Sequence, residues 1–211
     1  MNEINYSKIV KWLIGVWFLL AIAMSALHLL WTVPNAPPIA LGLSALTPLF
    51  LFGIWFAASS GFRKFALGLD RSVLTMVQTW RVEGFVFLVL YTYKILPASF
   101  ALPAGLGDMT IGATAYWAAT RLSNRSHRSS FIAWQVLGMI DLISAIGLGA
   151  TAGLRDPGGI STGVMTALPM SLIPTFGVPL LMMLHILCIA QSVQKSEGTR
   201  LLFGRSSPAN A

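Results

Sequence analysis

Apolar residues come along this chain in blocks of about 20, the length that crosses a bilayer core about 30 Å thick at 1.5 Å per helical residue. Six such blocks occupy residues 9–31, 38–58, 72–96, 100–120, 131–151 and 168–192. The connections between them alternate between polar and nearly uncharged. Lys8 and Lys11 open the first block, Arg63, Lys64 and Arg71 separate the second from the third, and Arg121, Arg125 and Arg128 separate the fourth from the fifth. Lys195, Arg200 and Arg205 follow the sixth, whereas the other side of the blocks holds only Arg155 and Lys94. Lys and Arg accumulate on the cytoplasmic side of spans. The pattern therefore predicts an all-α, polytopic transmembrane bundle of six spans with both termini cytoplasmic. Residues 1–194 form a single domain, and residues 195–211 form a cytoplasmic tail too short and polar to fold, expected to be disordered.

The first block begins like a secretory signal, with two lysines before an apolar run. It continues through LHLLW to about 23 residues, beyond the 7–15 of a signal core, so it is expected to remain as a span. Trp12, Trp31, Trp117 and Trp134 fall near block ends, where indole rings favour the headgroup zone.

Composition agrees with a lipid environment: 55% of the residues are hydrophobic and 10% charged, against about 25% charged in soluble domains. The net charge of +7 does not imply nucleic acid, because the basic residues lie between apolar blocks and not on a clustered, base-reading face. Cys188, the single cysteine, excludes an intrachain disulfide and a cysteine metal cluster.

The sixth block, LPMSLIPTFGVPLLMMLHILCIAQ, carries Pro169, Pro174 and Pro179. Each proline removes a backbone donor and clashes with the preceding turn, so this helix is expected to be kinked. The carbonyls so freed need neighbours, water or a ligand.

Four charged residues, Arg81, Glu83, Asp108 and Asp141, lie near the middle of the blocks. On a 3.6-residue helix Asp108 shares a face with Ala104, Gly105, Gly112 and Ala115, and Asp141 lies in a similar stripe with Gly138, Ser144 and Ala145. Small residues admit a neighbouring helix, so both acids should point inward, the two stripes meeting. From the basic ends, Asp108, Asp141 and Arg81 lie about 12, 10 and 9 residues in, depths that agree within about 5 Å. An ionised group there costs about 2.5–3.5 kcal/mol. Arg81 is therefore expected to bridge Asp108 and Asp141, with Gln78 and His185 as supporting polar groups. Glu83, about 200° round the helix from Arg81, is left to face another helix, a partner or lipid. One permanent cation against three acids implies that a proton or a bound cation compensates the cluster, making Arg81, Glu83, Asp108 and Asp141 the candidate proton- or cation-binding residues.

His28 and His185 stand near opposite ends of their blocks and cannot share a haem iron. HExxH, histidine boxes and Cys-His clusters are missing, and no cofactor or metal is expected. His127 lies in a basic loop, and GLGD is too short for a phosphate loop.

The stretches QTWRVEGFVFLVLYTYKILPASFALPAGLGDMTIGA and LPMSLIPTFGVPLLMMLHIL resemble a group of small bacterial inner-membrane proteins without assigned function. The similarity rests on Arg81, residues 103–108 and residues 169–185. It implies a bacterial inner membrane and lends no activity. The leading expectation is transport or channel-type movement of a small solute or ion, with midplane carboxyls binding a proton or cation. A membrane-embedded enzyme or redox subunit would instead use Asp108 or Asp141 as base and His185 as acid or ligand on a lipid-soluble substrate. A structural or assembly partner would use the charges only to fix helix register. The expected partners are the lipid bilayer, a small solute or ion, and an oligomer or membrane partner.

Overall fold

The computed structural model describes residues 5–32, 36, 38–155 and 158–203. They are helical, with no strand among them. The helices are α1 (Tyr6–Ala26), α2 (Ile39–Ala58), α3 (Ser60–Leu67), α4 (Arg71–Met76), α5 (Phe85–Thr92), α6 (Ala98–Trp117), α7 (Arg128–Arg155) and α8 (Val178–Phe203). Two joints matter for function. A 3-10 stretch, Val77–Gly84, welds α4 to α5 into one rod, and a π-helical turn, Ile173–Gly177, leads into α8.

Local chemistry sets the starts. Asn5 accepts from the Lys8 N–H at 3.1 Å, Ser59 accepts from Phe62 N–H at 3.2 Å, and Asp70 accepts from the N–H groups of Ser72 and Val73. Each of these bonds satisfies a donor that a helix N-terminus leaves open. Pro97, in extended conformation, precedes α6.

Five helices are long and apolar enough to cross a membrane: Tyr6–Ala26, Ile39–Ala58, Arg71–Thr92, Arg128–Ala152 and Ile173–Gln194. The fourth of the six expected blocks, α6, is not among them: it has the length but not the apolarity. Its Gly, Ser and Thr residues, Pro103 and Asp108 lower its hydropathy. Burial explains why it needs less: Phe100, Ala101, Ala104, Gly105, Asp108, Ile111, Gly112 and Ala115 are enclosed by neighbouring helices. The outer helices instead expose large apolar side chains such as Trp12, Phe50, Leu51 and Trp80.

Other boundaries move by a few residues. α1 ends at Ala26, and the chain then turns through His28, whose φ is 57°, so Trp31 lies beyond the helix. α8 continues to Phe203, past the point where a tail was expected, while residues 204–211 and the loop positions 156 and 157 lie outside the described residues. Trp134 does not face outward: it is buried, and its indole donates to Thr114 Oγ1 at 3.0 Å.

Two apolar clusters occupy the ends of the bundle. Toward the basic connections, Phe62, Leu74, Ile111, Phe131 and Leu187 pack together, with Trp55 stacked on Phe62 at 3.7 Å. Toward the uncharged connections, Phe87, Leu96, Phe100, Met165 and Met170 do the same. Arg81, Asp108 and Asp141 lie between.

Candidate functional site

The rod of the third span sets the geometry. In a 3-10 stretch residues three apart eclipse one another, and Thr75, Gln78, Arg81, Gly84 and Phe87 all point inward and are buried. Val77, Trp80, Val82 and Phe85 are left on the outside. α6 packs directly on this stretch. A Cβ at Gly84 would stand 2.6 Å from Asp108 Cβ, and one at Gly112 would stand 2.9 Å from the Arg81 carbonyl carbon. The small-residue stripe of α6 therefore meets the backbone of the Arg81 segment, not the Asp141 stripe of α7. Asp141 approaches α6 elsewhere, over Gly107, where any side chain would overlap its carboxylate.

Arg81 is 1% exposed, and every nitrogen of its guanidinium is engaged. Nε donates to Asp108 Oδ1 at 2.7 Å, Nη2 donates to Asp141 Oδ2, and Nη1 donates to the Gly138 carbonyl at 3.1 Å. Nη1 also lies 3.2 Å from His185 Nε2. A guanidinium has no acceptor, so His185 Nε2 accepts and its proton resides on Nδ1. Nδ1 donates to Gln135 Oε1. Gln135 Nε2 then donates to Thr75 Oγ1 at 3.2 Å, and that hydroxyl donates to the Arg71 carbonyl at 2.9 Å. Gly138 is small because the His185 ring occupies the space of its Cβ.

Two cavities lie at opposite ends of this chain of bonds. The first, about 250 Å³, opens among Trp31, Gly42, Phe87, Phe100, Ser161, Gly163 and Thr166 at the uncharged end, and Asp108 is the one acid or base in its lining. The second, about 540 Å³, opens among Gly68, Asp70, Arg71, Ser123, Asn124 and Gln191 at the basic end. The Arg81 cluster and its hydrogen-bonded extension run from Asp108 in one cavity to Arg71 in the other.

A family model matches residues 34–192. The chain belongs to that family, Domain of unknown function (DUF8737). No curated protein and no solved structure matches it. The DUF8737 region contains Arg81, Asp108, Asp141, Gln135 and His185, and hence the whole cluster. α1 precedes it and adds supports: Ser25 meets the Ser171 hydroxyl at 2.7 Å, and Trp17 donates to the Thr175 carbonyl at 3.1 Å.

Of the residues singled out from sequence, the structure brings Arg81, Asp108, Asp141 and His185 into one cluster. Gln78 stands beside it, donating to the Leu181 carbonyl at 3.1 Å, while its Oε1 is buried without a partner among the described residues. Glu83 is apart. It is half-buried, and both ion pairs found among the described residues are made by Arg81. Gln135 and Thr75 were missed. The signal for Gln135 was its position one helical turn before Gly138, in the stripe assigned to Asp141. For Thr75 it was the three-residue spacing to Gln78, Arg81 and Gly84. Among the described residues no group of three or more His, Cys, Asp or Glu side chains is placed to hold a metal.

Proposed function

We propose that this DUF8737 member is a bacterial inner-membrane protein that moves a small solute or ion, with Asp108 and Asp141 binding the coupling proton or cation beside Arg81. Six spans, including the less apolar α6, give an even count with both termini on the cytoplasmic side, in keeping with Arg63, Lys64, Arg71, Arg121 and Arg128 at one end of the bundle. The π-helical turn that contains Pro174 and precedes Pro179 supports a bend in the last span.

One observation carries the reading. A continuous series of polar contacts joins Asp108, in the cavity at one end, to Arg71, in the cavity at the other. A purely structural ion pair needs no cavity at either side. With His185 neutral, the cluster holds one cation and two carboxylates, and one excess negative charge in a low-dielectric interior calls for a proton or a bound cation. Such intramembrane acids mark ion and proton pathways.

The enzymatic alternative is less well supported, because His185 is fully buried with both ring nitrogens in hydrogen bonds and takes no part in lining the first cavity. The test is proton movement in proteoliposomes loaded with pyranine, under an imposed pH gradient, with panels of anionic, neutral and cationic organic solutes added. The expected outcome is solute-evoked flux in the wild type that Asp108→Asn abolishes. Flux no greater than in protein-free vesicles for all three panels would rule the transport reading out.

A further inference from the structure

The first cavity has the chemistry of a receptor for a particular kind of guest. Its volume of about 250 Å³ suits a small organic molecule, and its walls include the aromatic rings of Trp31, Phe87 and Phe100 with the aliphatic side chains of Leu142 and Ile146. Its one ionisable side chain is Asp108. That carboxylate gives Oδ1 to Arg81 Nε, while Oδ2 has no donor among the described residues. We propose that this cavity binds a small amphipathic organic cation, an ammonium carrying an apolar group, with the ammonium at Asp108 and the apolar group against the rings. The assignment rests on the transport reading for its role in the cell, but the site itself does not.

Three physical arguments favour a cation over a neutral or anionic guest. Aromatic rings lining the same cavity as the carboxylate pack the apolar group and add attraction for a nearby ammonium. The excess charge beside the cavity is negative. Arg81, from the third span, is the one cation facing Asp108, and it is already shared with Asp141 of α7 and held by the neutral His185 ring of α8. An anionic guest would meet Asp108, the one ionisable side chain of the lining, and Arg81 behind it is already paired with both Asp108 and Asp141.

Charge balance also fixes the stoichiometry. The compensating positive charge is either a proton on the carboxyl pair or the bound ammonium, so a monocation that enters releases one proton to the cavity water and leaves the net charge of the site unchanged. The exchange makes and breaks no other bond. The guest and the proton thus compete for one negative charge, which is the requirement for antiport.

The test uses benzyltrimethylammonium, whose quaternary nitrogen cannot itself release a proton, and its uncharged carbon isostere, neopentylbenzene. Binding to the purified full-length protein in detergent is measured by titration calorimetry in two buffers of different ionisation enthalpy, which counts protons released. The expected result is saturable binding of the ammonium with net proton release, at least about tenfold tighter than the isostere. Asp108→Asn should weaken it at least about tenfold and abolish the release, while Glu83→Gln, which lies outside the cavity, should leave binding within about twofold. Gly42→Leu supplies a second route, because Gly42 lines the cavity and a Cβ there meets nothing within 4 Å, so the variant fills the site without disturbing its walls. It should block binding with unchanged thermal unfolding. Equal binding of the isostere, or unaltered ammonium binding in both Asp108→Asn and Gly42→Leu, would overturn the assignment. Binding without flux in vesicles would leave the cation site standing and remove transport. Flux evoked by other solutes with no ammonium binding would do the reverse.

Discussion

Trp17 of α1 donates its indole N–H to the carbonyl of Thr175 at 3.1 Å, and Thr175 lies four residues before Pro179, which has no N–H to offer it. The carbonyl freed by a proline in the last span is therefore satisfied by another helix and is not held open for a ligand. Phe176 packs beside the same indole, with ring centroids 4.7 Å apart, so the contact is enclosed by apolar surface.

The pairing gives a direct prediction. Trp17→Phe should destabilise the protein by about 1–3 kcal/mol, since it leaves a buried acceptor without a donor. In a Pro179→Ala background the restored N–H can serve the turn, and the same Trp17→Phe change should cost less than half as much. Thermal unfolding of the four variants in one detergent measures the coupling. Equal costs in the two backgrounds would show that the indole acts only by its bulk.

Arg81→Ala is expected to be the most damaging single change, because it strands two carboxylates and leaves Asp108 and Asp141 facing one another without a cation. Breaking a buried pair in this way costs about 3–5 kcal/mol. Asp108→Asn and Asp141→Asn leave Arg81 one acid each and should lose less, with folded protein recovered by size-exclusion chromatography. Arg81→Lys should fall between, since a single ammonium cannot reach Asp108, Asp141, Gly138 and His185 in their separate directions as a planar fork does. A ranking by melting temperature that placed either Asn variant below Arg81→Ala would refute the arrangement.

Glycines of the same chain should respond in opposite senses. Gly112→Ala would put a Cβ 2.9 Å from the Arg81 carbonyl carbon, a backbone atom with no freedom to yield, and should cost about 1–3 kcal/mol. Gly147, in α7, has nothing within 4 Å of a Cβ. Gly147→Ala should be neutral or stabilising by up to about 1 kcal/mol from helix propensity alone. Detergent unfolding of the two variants side by side distinguishes close helix packing from a general intolerance of substitution.

Orientation can be read with a single thiol. Cys188 is the one cysteine and is buried against Thr75, so a Cys188→Ala background offers no competing label. Gly158→Cys, at an exposed position in the connection after α7, should react with a membrane-impermeant maleimide in intact cells, and a cysteine placed in α3 at Lys64 should not. The reverse pattern would overturn the charge-bias topology.

The helical segments were legible because lipid-length apolar blocks are a coarse signal that tolerates errors of a few residues. The meeting of Arg81, Asp108 and Asp141 was legible too, since three charges at one depth have few other ways to be compensated. Finer features depended on backbone detail that a uniform 3.6-residue period hides. Read as α-helix, the third span places Leu88 on the face of Arg81. The α-helical reading also places Gln78 and Gly84 there; the 3-10 rod adds Thr75 and Phe87, and so connects Arg81 to the polar extension as well as to α6. Gln135 escaped notice because a neutral amide raises no electrostatic alarm in an apolar run, although it is fully buried and bonded at both ends. Trp134 was misplaced for the opposite reason. Proximity to a span end suggests the interface, but the neighbouring Thr114 offers its indole a partner inside.

The 3-10 stretch also alters how the third span fits its solvent. Eight residues at about 2.0 Å rise each, among fourteen at about 1.5 Å, make the 22-residue rod Arg71–Thr92 about 37 Å long, where a uniform α-helix would measure about 33 Å. A rod longer than the hydrocarbon layer leans to keep both ends at the headgroups, and the lean grows as the layer thins. The helix that carries Arg81 is thus about 4 Å longer than its residue count alone implies, and leans correspondingly more. Acyl-chain length becomes a physical handle on the tilt of the guanidinium between its two carboxylates.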